Sequence, residues 1–159
     1  MIPGFITLAG SPWDVLPPGT HSATFAEIWD RFGYNPRRRA LFDGLIHAAN
    51  HLSSIGCQRV VLDGSYISAK PTPGDFDACW DPAGVDFAKL DPIFDDFDNG
   101  RANQKARFGG EFFPTTLIEA DSGAVFEEFF QVDRFTGKKK GILEIRLQMV
   151  QLAGRRTQP

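Results

Sequence analysis

Residues 62–80 read LDGSYISAKPTPGDFDACW, and the apolar run Val60-Val61-Leu62 leads into them. After Gly64-Ser65 comes a polar, proline-rich excursion, and then Asp75-Phe76-Asp77 ahead of Ala78-Cys79-Trp80. That order predicts a strand, a turn and a returning second strand. Side chains alternate along a strand, so Asp75 and Asp77 share one face and Phe76 takes the other. Two carboxylates so placed repel unless a cation or water lies between them. The Gly-Ser turn adds backbone N–H groups and a hydroxyl for an anion. Together these residues describe a seat for a metal-chelated polyphosphate.

The stretch resembles the nucleotidyltransferase fold superfamily, in which a strand ends in Gly-Ser and an Asp-x-Asp pair follows about ten residues later. Gly64, Ser65, Asp75 and Asp77 match that pattern in type, order and spacing. More narrowly, the chain is similar to a group of uncharacterised bacterial and phage proteins placed in that superfamily. LPPGTH (Leu16 to His21), DGSYISAKPTPGDFDACW (Asp63 to Trp80) and GKKKGILEI (Gly137 to Ile145) carry this likeness. The resemblance implies an α/β domain of the nucleotidyltransferase type, a mixed β-sheet with helices packed mainly on one face. It implies Mg²⁺ or Mn²⁺ held by Asp75, Asp77 and a third carboxylate, and an NTP cradled by Gly64 and Ser65. Chain order makes Glu111 the preferred third carboxylate, with Asp133 and Glu144 as rivals. The implied reaction moves a nucleotidyl group to a protein, RNA or small-molecule acceptor, with a role in toxin-antitoxin or phage-defence systems. The alternative is an inactive module of the same fold that binds nucleotide, RNA or a protein partner. Lys70, in the loop between turn and carboxylates, reads either as a triphosphate clamp or as solvated surface.

A length of 159 residues fits one domain with a substantial core, and a hydrophobic fraction of 42% with 23% charged residues is ordinary for a globular chain. The formal charge of -3 offers nucleic acid no global attraction, so such binding would need a local basic patch. Cys57 and Cys79 read as small buried apolar residues rather than a disulfide framework. No basic-then-apolar leader and no membrane-length apolar run occurs, so a cytoplasmic setting without membrane contact is expected.

Prolines and glycines in residues 1–20 predict an extended arm wrapped on the body, ahead of a single domain over 21–153 and a frayed tail over 154–159. A capping box, Thr24 with Glu27, opens a first helix that Gly33 closes. Pro36 opens a second, carried to about Ser53 by Leu41, Leu45, Ala49 and Leu52. Near its start, Arg37-Arg38-Arg39 point three ways, which reads as a solvated surface or an anion contact. His47 and His51 share a helix face without an acidic or cysteine partner, so they read as surface or packing residues. Further on, the spacing predicts a helix over Val85 to Phe97, another over Ser122 to Phe130, and a partly helical basic stretch over Gly100 to Gly110. Gln131 to Phe135 and Ile142 to Val150 then bracket a hairpin with a lysine-rich tip.

Overall fold

The computed structural model describes residues 1–147. The expected end of the last strand, through Val150, and the frayed tail lie outside the described residues. Five strands form one mixed sheet in the order β1-β5-β2-β3-β4. These are β1 (Gly19–Ser22), β2 (Arg59–Asp63), β3 (Phe76–Trp80), β4 (Gly110–Pro114) and β5 (Gly141–Arg146). β2 runs antiparallel to both β3 and β5, whereas β1 and β4 lie parallel to their single neighbours. The N-terminal segment is therefore tied in: it supplies edge strand β1, and Ile2, Val15 and Leu16 are buried. The boundary expected at residue 20 falls inside that strand.

Alternation sorts every strand onto two faces. Val60, Leu62, Phe76, Ala78, Trp80, Phe112, Leu143 and Ile145 enter the main core. Three helices cover that face: α1 (Phe25–Phe32), α2 (Pro36–Ser54) and α3 (Asp98–Phe108). The opposite face carries Val61, Cys79, Phe113 and Ile142 under a short helix, α4 (Phe126–Phe129), with Phe126 and Phe130 packed on them. Cys57 and Cys79 are free, buried, and belong to different clusters.

Local chemistry explains the helix ends. Thr24 Oγ1 accepts from Glu27 N at 3.1 Å and Glu27 accepts from Thr24 N at 2.8 Å, the reciprocal cap expected of α1. In α2, Asn35 accepts from Arg38 N at 2.9 Å ahead of Pro36. His47 and His51 pack on Phe108 and Phe94, and His51 Nε2 accepts from Asp91 N at 2.9 Å.

Three predicted elements differ. The helix expected over Val85 to Phe97 is instead two 3₁₀ turns, Phe87–Lys89 and Pro92–Asp95. Asp86 and Asp91 each accept an N–H two residues on, and Pro92 disfavours helical backbone at Asp91, so the chain restarts there. The helix expected over Ser122 to Phe130 shrinks to α4, because Glu119 captures the N–H groups of Asp121 and Ser122 and Gly123 turns with φ +73°. Gln131 to Phe135 forms no strand: Asp133 accepts from Thr136 N and Oγ1, closing a turn, and one bridge joins Val132 to Lys139. β5 pairs with β1 and β2, and the expected hairpin is reduced to a short antiparallel return in which Asp133 N donates to Lys138 O at 2.8 Å and Lys140 N to Gln131 O at 3.0 Å.

Contact between α2 and α3 is close at Gly44, where an added Cβ would lie 1.6 Å from the Phe108 carbonyl oxygen. Gly44→Ala is expected to cost about 3 kcal/mol or to prevent folding. Gly4→Ala, which meets nothing within 4 Å, should stay within about 0.5 kcal/mol of the parent in the same denaturant titration.

Candidate functional site

The register of the sheet aligns acids across three strands. Asp63 on β2 faces Asp77 on β3, and Asp77 faces Glu111 on β4, all on the sheet face away from the large helices. Asp75, one residue before β3, shares that face by alternation. One oxygen each from Asp75, Asp77 and Glu111 lies within 4.8 Å of the others. Of the two rival third carboxylates, Glu144 is held by Arg59 at 2.7 Å and Arg146 at 2.9 Å, and Asp133 is engaged by Thr136. Neither joins the Asp75–Asp77–Glu111 group.

Cations surround these acids. Glu111 Oε1 accepts from Arg101 Nη2 at 3.0 Å and from Lys105 Nζ at 2.9 Å, and Lys105 also lies 4.0 Å from Asp75. Arg101 reaches Glu111 from a left-handed turn, Asn99-Gly100-Arg101, at the start of α3. That backbone costs a non-glycine residue on the order of 1 kcal/mol. On the other side Lys140 Nζ donates to Asp63 Oδ1 at 2.6 Å. Lys140 therefore turns inward from the lysine-rich segment.

Burial raises the Asp77 carboxyl well above the usual carboxylate range, and Asp63, Asp75 and Glu111 raise it further by repulsion. Burial likewise raises Asp75, with Glu111 adding to it and Lys105 opposing. Asp63 is raised by burial against the pull of Lys140. In the absence of a metal ion, each of these three aspartates is thus shifted toward keeping its proton to a higher pH than an exposed aspartate does.

Gly64 approaches Asp77 so closely that a Cβ would sit 2.4 Å from Oδ2, and its φ of +87° suits glycine. Gly64, Ser65 and Lys70 line one open cleft of about 790 Å³ with Asp63, Asp75, Asp77 and Glu111. Lys70 Nζ stands 6.0 Å above the Trp13 ring. The loop is held from behind by Arg38, which is fully buried. Its guanidinium donates to the carbonyls of Tyr66 at 2.6 Å, Ser68 at 2.9 Å and Pro71 at 3.3 Å, and also to that of Lys70. Arg37 donates to the Pro73 and Gly74 carbonyls, and Arg39 to that of Gly33 at 2.8 Å. The arginine run is thus divided: Arg37 and Arg39 lie on the exposed surface expected of them while bonding backbone carbonyls, and Arg38 departs from that reading by being buried under the loop.

Sequence reasoning brought Asp75, Asp77, Glu111, Gly64, Ser65 and Lys70 to one cleft but did not single out Asp63, Lys140, Arg101, Lys105 or Arg38. Parity held a signal for two of them. Asp63 is two residues past Val61, and Lys140 two before Ile142, on the same strand face.

Fold and site together define a mixed α/β domain with a carboxylate-floored, cation-flanked cleft on the sheet face opposite its main helical layer. The chain belongs to a family of unknown function, DUF6932, which it matches over residues 11–146. No curated protein and no solved structure matches it. Among the described residues no helix is long and apolar enough to cross a membrane.

Arg38→Lys keeps the charge but loses the planar fork, and is expected to lower stability by about 3 kcal/mol, measured by chemical denaturation. Asp77 keeps its proton to higher pH folded than unfolded. Its contribution is therefore fully present below about pH 4 and is lost as pH rises through the elevated folded value. Asp77→Asn is accordingly expected to raise the metal-free thermal midpoint at neutral pH by roughly 2–4 °C, the equivalent of about 1 kcal/mol at this size. The same variant should lose any stabilisation by added Mn²⁺, read by calorimetry at pH 5 and pH 8.

Proposed function

We propose that this domain is a nucleotidyltransferase of the type its Gly-Ser and Asp-x-Asp residues resemble, moving a nucleotidyl group from an NTP to a protein, RNA or small-molecule hydroxyl. The observation that carries the reading is the convergence of Asp75, Asp77 and Glu111 within 4.8 Å beside the Gly64-Ser65 turn in an open cleft. The donor set suits Mg²⁺ or Mn²⁺. All three ligands are hard carboxylate oxygens, and their spread is close to the roughly 4.2 Å that separates opposite ligands of an octahedral Mg²⁺.

Asp75, Asp77 and Glu111 would hold the ion, which when bound neutralises charge on the triphosphate. Gly64 and Ser65 offer backbone N–H groups and a hydroxyl to the β and γ phosphates, with Lys70 on the same loop. An aspartate of the pair takes the proton from the acceptor hydroxyl. The acceptor oxygen then bonds to the α phosphorus as the bond from that phosphorus to the bridging oxygen breaks, releasing pyrophosphate. Once the acids are engaged, Arg101 and Lys105 are free to turn from Glu111 toward phosphate oxygens.

One observation favours a second reading. Glu111 is already neutralised by Arg101 and Lys105, as it would be in a module that binds nucleotide, RNA or a protein partner without chemistry. Incubation of the intact chain with radiolabelled NTPs, Mg²⁺ and cell extract separates the two. Transfer of label to an acceptor is expected, and Asp75→Ala and Asp77→Ala should each reduce it by more than about 100-fold, since even outer partners of metal ligands cost 10–100-fold. Label transfer that survives both changes defeats the enzymatic reading. Saturable nucleotide binding with no transfer establishes the second.

A further inference from the structure

The cleft is lined by two chemically different sets of side chains, the carboxylates with their cations and a group of aromatic rings. Beyond the acids, the β4 face continues from Glu111 to Phe113, about 7 Å further along the strand. Phe113 stacks face to face on Phe126, with ring centroids 4.0 Å apart and planes 6° apart. Phe126 meets Phe129 and Phe130 edge-on, at 5.9 Å in each case. Of the rings that line the cleft, Phe129 is 37% exposed, Phe135 53% and Trp13 37%, so each presents a surface to whatever enters.

The other polar side chains that line the cleft are already engaged. Glu119 accepts from Asp121 N and Ser122 N at 3.2 and 2.7 Å. Asp133 accepts from Thr136 N and Oγ1 at 3.0 and 2.7 Å. Arg134 lays its guanidinium 4.8 Å over the Phe135 ring. The Ser11 hydroxyl donates to the Trp13 carbonyl, so among the described residues a planar heterocycle meets ring faces and a cation, and the carboxylates of Glu119 and Asp133 already hold backbone N–H groups.

Resting on the nucleotide reading above, the geometry points to a base-tolerant site: the phosphates are fixed at the carboxylate end, and the base is held by stacking on the exposed phenylalanines rather than recognised by hydrogen bonds. Aromatic stacking accepts every base because each has a π face, and purines gain more from it than pyrimidines by their larger area. A hydrogen-bonding pocket behaves differently and rejects wrong partners by factors of about 10⁴–10⁵.

Equilibrium titration of the intact chain in Mg²⁺ with ATP, GTP, CTP, UTP and inorganic tripolyphosphate tests this. ATP and GTP should bind within about 3-fold of each other, pyrimidine nucleotides up to about 10-fold more weakly, and tripolyphosphate at least about 10-fold more weakly than ATP. Phe129→Ala combined with Phe135→Ala should remove most of the gap between ATP and tripolyphosphate while leaving tripolyphosphate binding unchanged, which also shows that the variant is folded. Phe135→Trp should retain nucleotide binding. Discrimination above about 100-fold between ATP and GTP, or equal affinity for ATP and tripolyphosphate, overturns the inference while leaving the phosphate-and-metal site standing. Failure of all five ligands, tripolyphosphate included, removes the nucleotide reading and this inference with it.

Discussion

Like charge set side by side is the constraint on which the molecule depends. The β2–β3–β4 register places Asp63, Asp77 and Glu111 in one row, and alternation adds Asp75 beside them. Such a row is unfavourable in a protein interior unless countered. The surroundings are the counter: Lys140 at one end, Arg101 and Lys105 at the other, and between them an Asp77 carboxyl raised by burial and repulsion. A fold selected for stability alone has no use for this arrangement. Its presence on a partly buried sheet face is the physical reason to read the cleft as a candidate site.

Arg38 shows how the fold holds that site in place. A guanidinium buried with no carboxylate partner among the described residues is costly, yet its fork is matched to a fan of loop carbonyls. The loop from Ser65 to Pro71 has little regular hydrogen bonding of its own beyond one 3₁₀ turn, so the arginine supplies the partners its carbonyls lack. Because α2 packs on the main core, the position of the cleft loop is set by the helical layer on the far side of the sheet.

Much of this was legible in residue pattern. Alternation around Phe76 placed Asp75 and Asp77 together, and the capping box at Thr24 and the proline at residue 36 located α1 and α2, because those signals are local. Asp63 and Lys140 were harder: their roles come from pairing across 77 residues, which no local window contains. Arg38 escaped for a related reason, since an arginine in a basic run looks solvated until the loop that caps it is in place. The acidic stretch before α3 has helical spacing but breaks into 3₁₀ turns, because Asp86, Asp91 and Pro92 decide its backbone more strongly than apolar period does.

The strand order carries a consequence for how the chain assembles during synthesis. β5 sits between β1 and β2, and Gly19 pairs with Gly141, so the first strand made has no neighbour until nearly the whole described chain has been translated. β2, β3 and β4 can meet earlier and bring the acids together, while one side of β2 waits uncovered. A nascent or truncated chain ending before residue 141 thus displays a bare Val-Val-Leu strand edge, open to pairing with another copy or to capture by a chaperone. Docking of β5 between β1 and β2 closes the sheet.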